Sequence, residues 1–494
     1  MSLIQVSNLT FAYDGSYDNI FENVSFQIDS EWKLGFTGRN GRGKTTFLNL
    51  LLDKYEYSGH ISAKVSFEYF PYQVDDKSKM TYDIIEDIVP DYQQWELMRE
   101  LTQLKVADDV LYRPFEQLSN GEQTKVLLAA LFLKENRFLL IDEPTNHLDL
   151  LGRAIVSEYL KTKSGFILVS HDRCFLDHCV DHILSINKTN IEIQRGNFTD
   201  WWENKQKQDQ YEFAENDKLR KDIKRLEEAS RRTGNWSHEV EKTKNGTRNS
   251  GSKVDKGYIG HKAAKMMKRS KSMEQRQQHA IDEKSKLLKN VESAEILKIS
   301  QLAYHKNQLV ELDHVSLYYD GKAVCQDVSF MIEQGDRIAL SGPNGSGKST
   351  ILKLINGADI AYSGTFRKGS QLRISYVSQD TSHLRGDLSD FAAASGIDES
   401  LFKSILRKLD FARVQFEKDI ASFSGGQKKK VLIAKSLCEQ AHLHIWDEPL
   451  NFIDVMSRMQ IEELLLAHSP TLLFVEHDRE FSANMATKII ELKI

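Results

Sequence analysis

The sequence is poor in cysteine, in proline and in long apolar runs, and each shortage excludes something. Its 494 residues hold four cysteines, Cys174, Cys179, Cys325 and Cys438. They make no CxxC pair and no zinc-ligand spacing, which excludes a disulfide scaffold and fits a reducing compartment. Cys174 and Cys179 do fall among histidines in HDRCFLDHCVDH. Their separation is wrong for a closed zinc site, so they read as ordinary residues. The longest apolar candidate, residues 126–133, is eight positions long, against roughly 20 needed to span a bilayer. The opening MSLIQVSNLTF lacks a basic region followed by an apolar stretch, so no secretory leader is visible. A soluble, cytoplasmic protein with no membrane is the expectation. Of seven prolines, none lies between Pro144 and Pro343. Acids are missing from one stretch as well: between Gly257 and Ser272 there is no Asp or Glu, although the whole chain carries a formal charge of −5.

What is present is one unit written twice. NLTFAYDG at Asn8 returns as HVSLYYDG at His314, and GRNGRGKTT at Gly38 as GPNGSGKST at Gly342. LSNGEQTKVLLAALFL at Leu118 answers FSGGQKKKVLIAKSLC at Phe423, and LLIDEPTNHLD at Leu139 answers HIWDEPLNFID at His444. LVSHDR at Leu168 answers FVEHDR at Phe474, and every offset lies between 304 and 306. The chain therefore divides into a first domain at 1–200, a segment at 201–300 that matches neither copy, and a second domain at 301–494. Each copy reads as α/β. RFLLIDEP, GFILVSHD and TLLFVEHD are short, rich in branched apolar residues and bounded by polar turns, as buried strands are, and longer mixed segments between them suit helices. The middle segment has sparse apolar positions (Leu219, Ile223 and Leu226, then Met266, Met267, Met273, Ile281, Leu287, Leu288 and Val291) around a glycine-rich polar stretch. It reads as two long helices forming a projecting hairpin, with a tip at about residues 232–260 and arms of roughly 45 Å.

GRNGRGKT, with Gly38, Asn40, Gly41, Gly43, Lys44 and Thr45, fits the phosphate-binding loop of P-loop NTPases. So does GPNGSGKS, with Gly342, Asn344, Gly345, Gly347, Lys348 and Ser349. The glycines let the backbone curl so that its amides face phosphates, the lysines reach the outer phosphates, and the hydroxyls meet magnesium. Thr46 and Thr350, next in line, complete each nucleotide set. Asp142 and Asp447 close apolar strands and are expected to hold Mg2+, while Glu143 and Glu448 one residue later are candidate bases or water-positioners. His171 and His477 recur after another short strand and are expected at the γ-phosphate. Gln73 and Gln379 recur in register and are expected at Mg2+ or the attacking water. Tyr13 and Tyr319 precede the loops and are candidates to stack on adenine.

This set of phosphate loop, glutamine, LSGGQ-like turn, DEP strand end and late histidine resembles the ATP-binding-cassette (ABC) proteins over nearly everything outside the middle segment. The resemblance implies a head-to-tail sandwich within one monomer, with two ATP molecules at the interface. In it, Ser424 and Gly426 of the second copy face the Lys44 site, and Ser119 and Gly121 of the first face the Lys348 site. Asn120 and Phe423 depart from the usual signature, and the second copy has NFID where the first has NHLD. Both copies keep the lysine, the acid pair and the histidine, so ATP hydrolysis at both sites is expected.

Cassette closure serves many functions, so the middle segment has to choose among them. Residues 201–300 hold 24 Lys and Arg against 16 Asp and Glu, a net +8 that leaves −13 for the rest of the chain. The run HKAAKMMKRSKS carries Lys262, Lys265, Lys268, Arg269 and Lys271. A polyanion is its natural partner. The two-cassette order and linker position resemble the F-type ABC proteins (ABC-F), and most closely the antibiotic-resistance branch of the Lsa and Vga type. That resemblance implies an ATP-bound factor in the tRNA exit site of the bacterial 70S ribosome. Its linker would contact 23S rRNA and the peptidyl-tRNA in the P site, and would displace lincosamides, pleuromutilins or streptogramin A until hydrolysis releases the factor. On this chain Lys262 to Lys271 would grip RNA, with Trp236 and Tyr258 as tip candidates. Gln73 and Ser119 are separated about as far as Gln379 and Ser424, so no arm insertion is expected, and no C-terminal extension either. Two alternatives stay open: a housekeeping ABC-F translation factor, and the ATPase subunit of a transporter.

Overall fold

The computed structural model describes residues 2–13, 19–146, 148–187, 190–242, 302–319, 322–343 and 345–492, with Lys265, Lys268, 271–273, Gln275 and Arg276. The chain forms two units: Met1–Trp201 together with Ile296–Ile494, and Trp202–Glu295.

In the first unit each half repeats the same α/β plan. Strands β1 (Leu3–Phe11), β2 (Phe21–Asp29) and β4 (Ser58–Ser62) make an antiparallel sheet in the order β2-β1-β4. β3 (Lys33–Thr37) belongs to a six-stranded sheet, β5-β6-β7-β3-β8-β9, with β5 (Ser66–Phe70), β6 (Arg137–Asp142), β7 (Phe166–Val169), β8 (His182–Asn187) and β9 (Asn190–Arg195). Its strands are parallel except for β9. β7 is buried at all four positions, which explains why FILV reads as a continuous apolar run and not as an alternation. Helices α1 (Lys44–Leu51), α2 (Thr81–Ile88), α3 (Gln94–Gln103), α4 (Asn120–Leu133), α5 (Leu150–Lys161) and α6 (Arg173–Cys179) complete this half.

Helix α1 is held between the two sheets by Phe47, which is fully buried and meets the rings of Phe21, Phe26 and Phe36 at 5.5–6.0 Å. Helix α4 packs against β5 of the six-stranded sheet and α6 against β3. The functional loops leave the carboxyl ends of β3, β6 and β7, where ligands of open parallel sheets bind.

The second half follows suit. β10 (Gln308–Tyr319), β11 (Lys322–Glu333) and β13 (Ala361–Lys368) form one sheet, ordered β11-β10-β13. β12 (Arg337–Ser341), β14 (Ile374–Val377), β15 (Leu443–Asp447), β16 (Leu472–Val475) and β17 (Lys488–Glu491) form an all-parallel one, β14-β15-β16-β12-β17. Its helices, which follow the linker helix α7 (Phe198–Lys242), are α8 (Lys348–Asn356), α9 (Leu388–Ala394), α10 (Glu399–Lys408), α11 (Gly425–Cys438), α12 (Val455–His468) and α13 (Arg479–Met485). Two core clusters serve this half. One lies between the sheets around Val315, Ile338 and Ile351, and one lies under the helices around Phe402, Phe411 and Trp446.

The linker helix α7 (Phe198–Lys242) is 45 residues long. The sequence reading ended this helix near residue 232 and began the tip there; the helix instead continues to Lys242. Gly234 is a lone glycine without a neighbouring proline, and one such residue costs only about 1 kcal/mol relative to alanine. Pairs such as Lys221–Asp217, one helical turn apart, support the exposed helix. Lys265, Lys268 and Lys271 are helical and exposed. Lys262, Arg269, Tyr258 and the expected tip from residue 243 onward lie outside the described residues. Among the described residues no helix is long and apolar enough to cross a membrane.

Candidate nucleotide-binding sites

Strand β3 ends in a loop whose glycines take left-handed conformations, with Gly41 at φ 79° and Gly43 at φ 95°. A Cβ on Gly43 would lie 2.5 Å from the Ile20 side chain, while one on Gly41 would meet nothing within 4 Å. The loop is thus packed on one side and open on the other. Helix α1 starts there with no acid in its first turn and no side-chain cap, so its leading amides suit an anion. The second loop repeats this, with Gly345 and Gly347 both at φ 85° and an uncapped α8. Asn344 lies outside the described residues. The Lys44 ammonium donates to the carbonyl of Gly38 at 2.6 Å, and that of Lys348 to Gly342 at 2.9 Å. Burial pulls both ammonium groups below their ordinary range, against the pull of nearby acids.

Thr45 Oγ1 donates to Asp142 Oδ2 at 3.2 Å, and Ser349 Oγ to Asp447 Oδ1 at 3.0 Å. One hydroxyl and one carboxylate form the small, hard oxygen set that Mg2+ takes alongside water and phosphate. Among the described residues there is no cluster of three or more acids, histidines or cysteines that could hold a metal by themselves. The residues therefore fit magnesium delivered with a nucleotide. Sequence reasoning missed Tyr69 and Tyr376, whose hydroxyls donate to Asp142 at 2.9 Å and to Asp447 at 3.4 Å. The available signal was their recurrence just before Gln73 and Gln379.

The two acid–histidine pairs differ. Glu143 and Glu448 both sit at the strand end in the left-handed region, at φ 51° and 46°, a conformation unusual for such residues and held by the surrounding loop. Glu143 Oε1 lies 3.2 Å from His171 Nε2 without a well-formed hydrogen bond. Burial, then the charge of Asp142, push the Glu143 carboxyl up to about 8. Burial and the neighbouring Lys44 and Arg458 hold the His171 imidazole well below its usual range. Glu448 lies 3.4 Å from His477 and accepts from Gln379 at 2.8 Å and Asn451 at 2.7 Å. Burial alone would raise its carboxyl, but the His477 hydrogen bond, with Lys429 and Lys348, more than offsets that and holds it below the ordinary value. Gln73 is exposed at the matching position of the first half. Tyr13 donates to or accepts from Thr46 at 2.8 Å and is exposed, as is Tyr319.

The halves meet head to tail. Ser424 caps α11 and Ser119 caps α4, each in a reciprocal box with the residue three positions on. A Cβ on Gly426 would lie 3.0 Å from Asn40 Nδ2, and Asn40 donates to the Phe452 carbonyl at 2.7 Å. The signature turn of the second half therefore stands against the phosphate loop of the first. Asp454, at the end of NFID, acts on the charge of Lys44, and Asp149, at the end of NHLD, acts on that of Lys348. These two aspartates were also missed, although they recur in register.

Fold and sites define a tandem-cassette nucleotide-hydrolysing protein. The family model described as ABC transporter matches residues 21–146 and 325–451, each match beginning in β2 or β11, running through the phosphate loop and ending in the turn after the acid pair. The chain belongs to the ATP-binding-cassette family and is of its ABC-F type, and it is an ATPase. It is 28% identical over 492 residues to the ribosome protection protein VmlR of Bacillus subtilis, covering 97% of this chain and 84% of VmlR. It is 27% identical to the energy-dependent translational throttle protein EttA of Mycobacterium tuberculosis, covering 95% of this chain and 88% of EttA. Among solved structures, the archaeal ribosome recycling factor aABCE1 shares the fold with a TM-score of 0.64 at 17% identity, over 99% of this chain and 87% of that one.

Proposed function

We propose that this chain is a ribosome-associated ATPase that enters the tRNA exit site with ATP in both sites and displaces drugs from the peptidyl-transferase centre. The observation that carries the reading is the pairing of two candidate nucleotide sites with a basic insert. Lys265, Lys268 and Lys271 stand exposed on helix at three-residue spacing. They make a cationic row suited to phosphate backbone, and Lys262 and Arg269 add to the positive charge of the same stretch of sequence. Similarity to VmlR and EttA over nearly the whole chain supports the ribosome as partner.

In this reading the loop amides with Lys44 and Lys348 hold the β- and γ-phosphates. Thr45 with Asp142, and Ser349 with Asp447, hold Mg2+, which when bound neutralises charge between the phosphates. Gln73 and Gln379 reach toward the metal or water, and Tyr13 and Tyr319 offer rings to adenine. Glu143 and Glu448 orient or deprotonate the attacking water, with His171 and His477 set against them. The signature residues Ser119 and Gly121, and Ser424 and Gly426, close each site from the opposite half, where fixed amides are worth most.

The unequal glutamates give a pH prediction. A carboxylate that must be ionised to act loses function as pH falls through its pKa. The Glu448→Gln variant, which keeps Glu143, should lose ATPase activity on the acid side at higher pH than Glu143→Gln, which keeps Glu448. Rate profiles of the two single variants over about pH 6 to 9 measure this. Coincident acid limbs would remove the difference in environment as a cause.

The functional test is drug susceptibility. Expression in a drug-sensitive bacterium should raise resistance to a lincosamide, a pleuromutilin or streptogramin A. No shift for any of the three would favour the second reading, a housekeeping translation factor, which the likeness to EttA supports.

A further inference from the structure

Among the described residues, the side-chain ion pairs that cross between the two cassettes gather on the Lys44 side, while on the Lys348 side Arg153 donates to the His477 carbonyl at 3.2 Å. Near the Lys44 site, Arg39 of the first phosphate loop meets Asp410 of the second cassette at 2.6 Å, with Arg42 at 4.0 Å from the same carboxylate. Arg173, in the SHDR turn beside His171, reaches Glu462 at 2.8 Å and Glu480 at 3.0 Å, both in the second cassette. Arg173 and Glu462 are both buried, and Asn484 steadies the other oxygen of Glu462 at 2.5 Å.

The internal repeat gives the counterpart of each residue. Arg39 and Arg42 correspond to Pro343 and Ser346, and Asp410 corresponds to Lys105; Lys105 and Asp410 share the same left-handed turn, at φ 50° and 65°. Arg173 corresponds to Arg479, and its partners Glu462, Glu480 and Asn484 correspond to Ser157, Cys174 and His178. The register is fixed by Arg153 and Arg458, which make equivalent contacts to Leu148 and Ile453 and to Asp172 and Asp478. At the corresponding positions of the repeat, then, a proline stands in place of Arg39 and a lysine in place of Asp410, and a serine and a cysteine in place of Glu462 and Glu480. Arg479, Ser157, Cys174 and His178 line an open cleft beside His477. Among the described residues Arg479 has no ion-pair partner. These side chains cannot form the pairs their counterparts form, whatever their distance.

We infer that Arg39 and Arg173 are positioning residues that keep the Lys44 site closed across the interface, so that the Lys348 site is the one that opens to exchange nucleotide. The inference rests on the reading of two composite sites. Removing one partner of a buried, hydrogen-bonded charge pair acts on dissociation more than on encounter, so the device should show in release rates.

The test uses the full chain carrying Glu143→Gln and Glu448→Gln, loaded with a fluorescent ATP analogue and chased with excess ATP. Release should occur in two phases of equal amplitude whose rates differ by about tenfold or more, roughly 1.4 kcal/mol per tenfold. Lys44→Ala should remove the slow phase and Lys348→Ala the fast one. Arg173→Ala and Arg39→Asp should each speed the slow phase about tenfold and leave the fast phase unmoved. The swap Arg39→Asp with Asp410→Arg should restore the slow phase, which a merely misfolded variant would not allow. A single phase with two nucleotides bound would overturn the inference, as would equal acceleration of both phases or a swap without rescue. Ser424→Arg and Ser119→Arg address the composite sites separately. If neither alters any phase, that reading fails; if both act but the phases coincide, only the asymmetry fails.

Discussion

Replacing Glu143 and Glu448 together by glutamine is expected to cut ATP turnover by about 10²- to 10⁴-fold, the range a positioned acid or base supplies, and to leave ATP binding intact. Glutamine keeps the shape of each side chain and its place at the end of β6 or β15, but it can neither take a proton nor carry charge. In the proposed reading binding depends on other groups: the loop amides, Lys44 and Lys348, and the hydroxyl–carboxylate pairs at Thr45 with Asp142 and Ser349 with Asp447. The double variant should therefore accumulate with nucleotide in place. Phosphate release, measured beside equilibrium binding of ATP, checks both halves of the statement. Turnover at the parental rate would remove these glutamates from the chemistry.

Neutralising Lys262, Lys265, Lys268, Arg269 and Lys271 together should weaken ribosome association by about 10²- to 10³-fold near physiological salt. Each lost phosphate contact removes roughly 0.7 to 0.9 from the slope of log affinity against log salt. ATP binding should not change, because the substituted residues belong to a different unit from the nucleotide sites. Sedimentation with ribosomes across a salt series reads both the affinity and the slope. An unchanged slope would mean that these side chains do not touch phosphate.

The candidate nucleotide sites are legible in the sequence because the residues proposed for them are carried by short local stretches. A glycine-rich loop after a strand, and two acids at the end of another, fix backbone amides and carboxylates without reference to distant residues. Duplication made them firmer, since Glu143 and Glu448 share even their left-handed backbone. What escaped the sequence depends on partners far along the chain. Arg173 and Glu462 lie 289 positions apart, and no local pattern marks Arg173 as an interface residue while its counterpart Arg479 has no ion-pair partner among the described residues. Tyr69 and Tyr376 were passed over because a tyrosine in a strand usually packs. Only the position of Asp142 and Asp447 beside their hydroxyls shows otherwise. The end of α7 was misplaced for a simpler reason. The glycine and polar residues after Arg232 read as a turn, whereas a helix with no proline to stop it runs through them to Lys242.

The most direct test of the account is whether ribosome association needs closed, ATP-loaded cassettes. The Glu143→Gln and Glu448→Gln double variant should sediment with 70S ribosomes in ATP and remain in the supernatant in ADP. Equal sedimentation in both nucleotides, or none in ATP even at low salt, would contradict it.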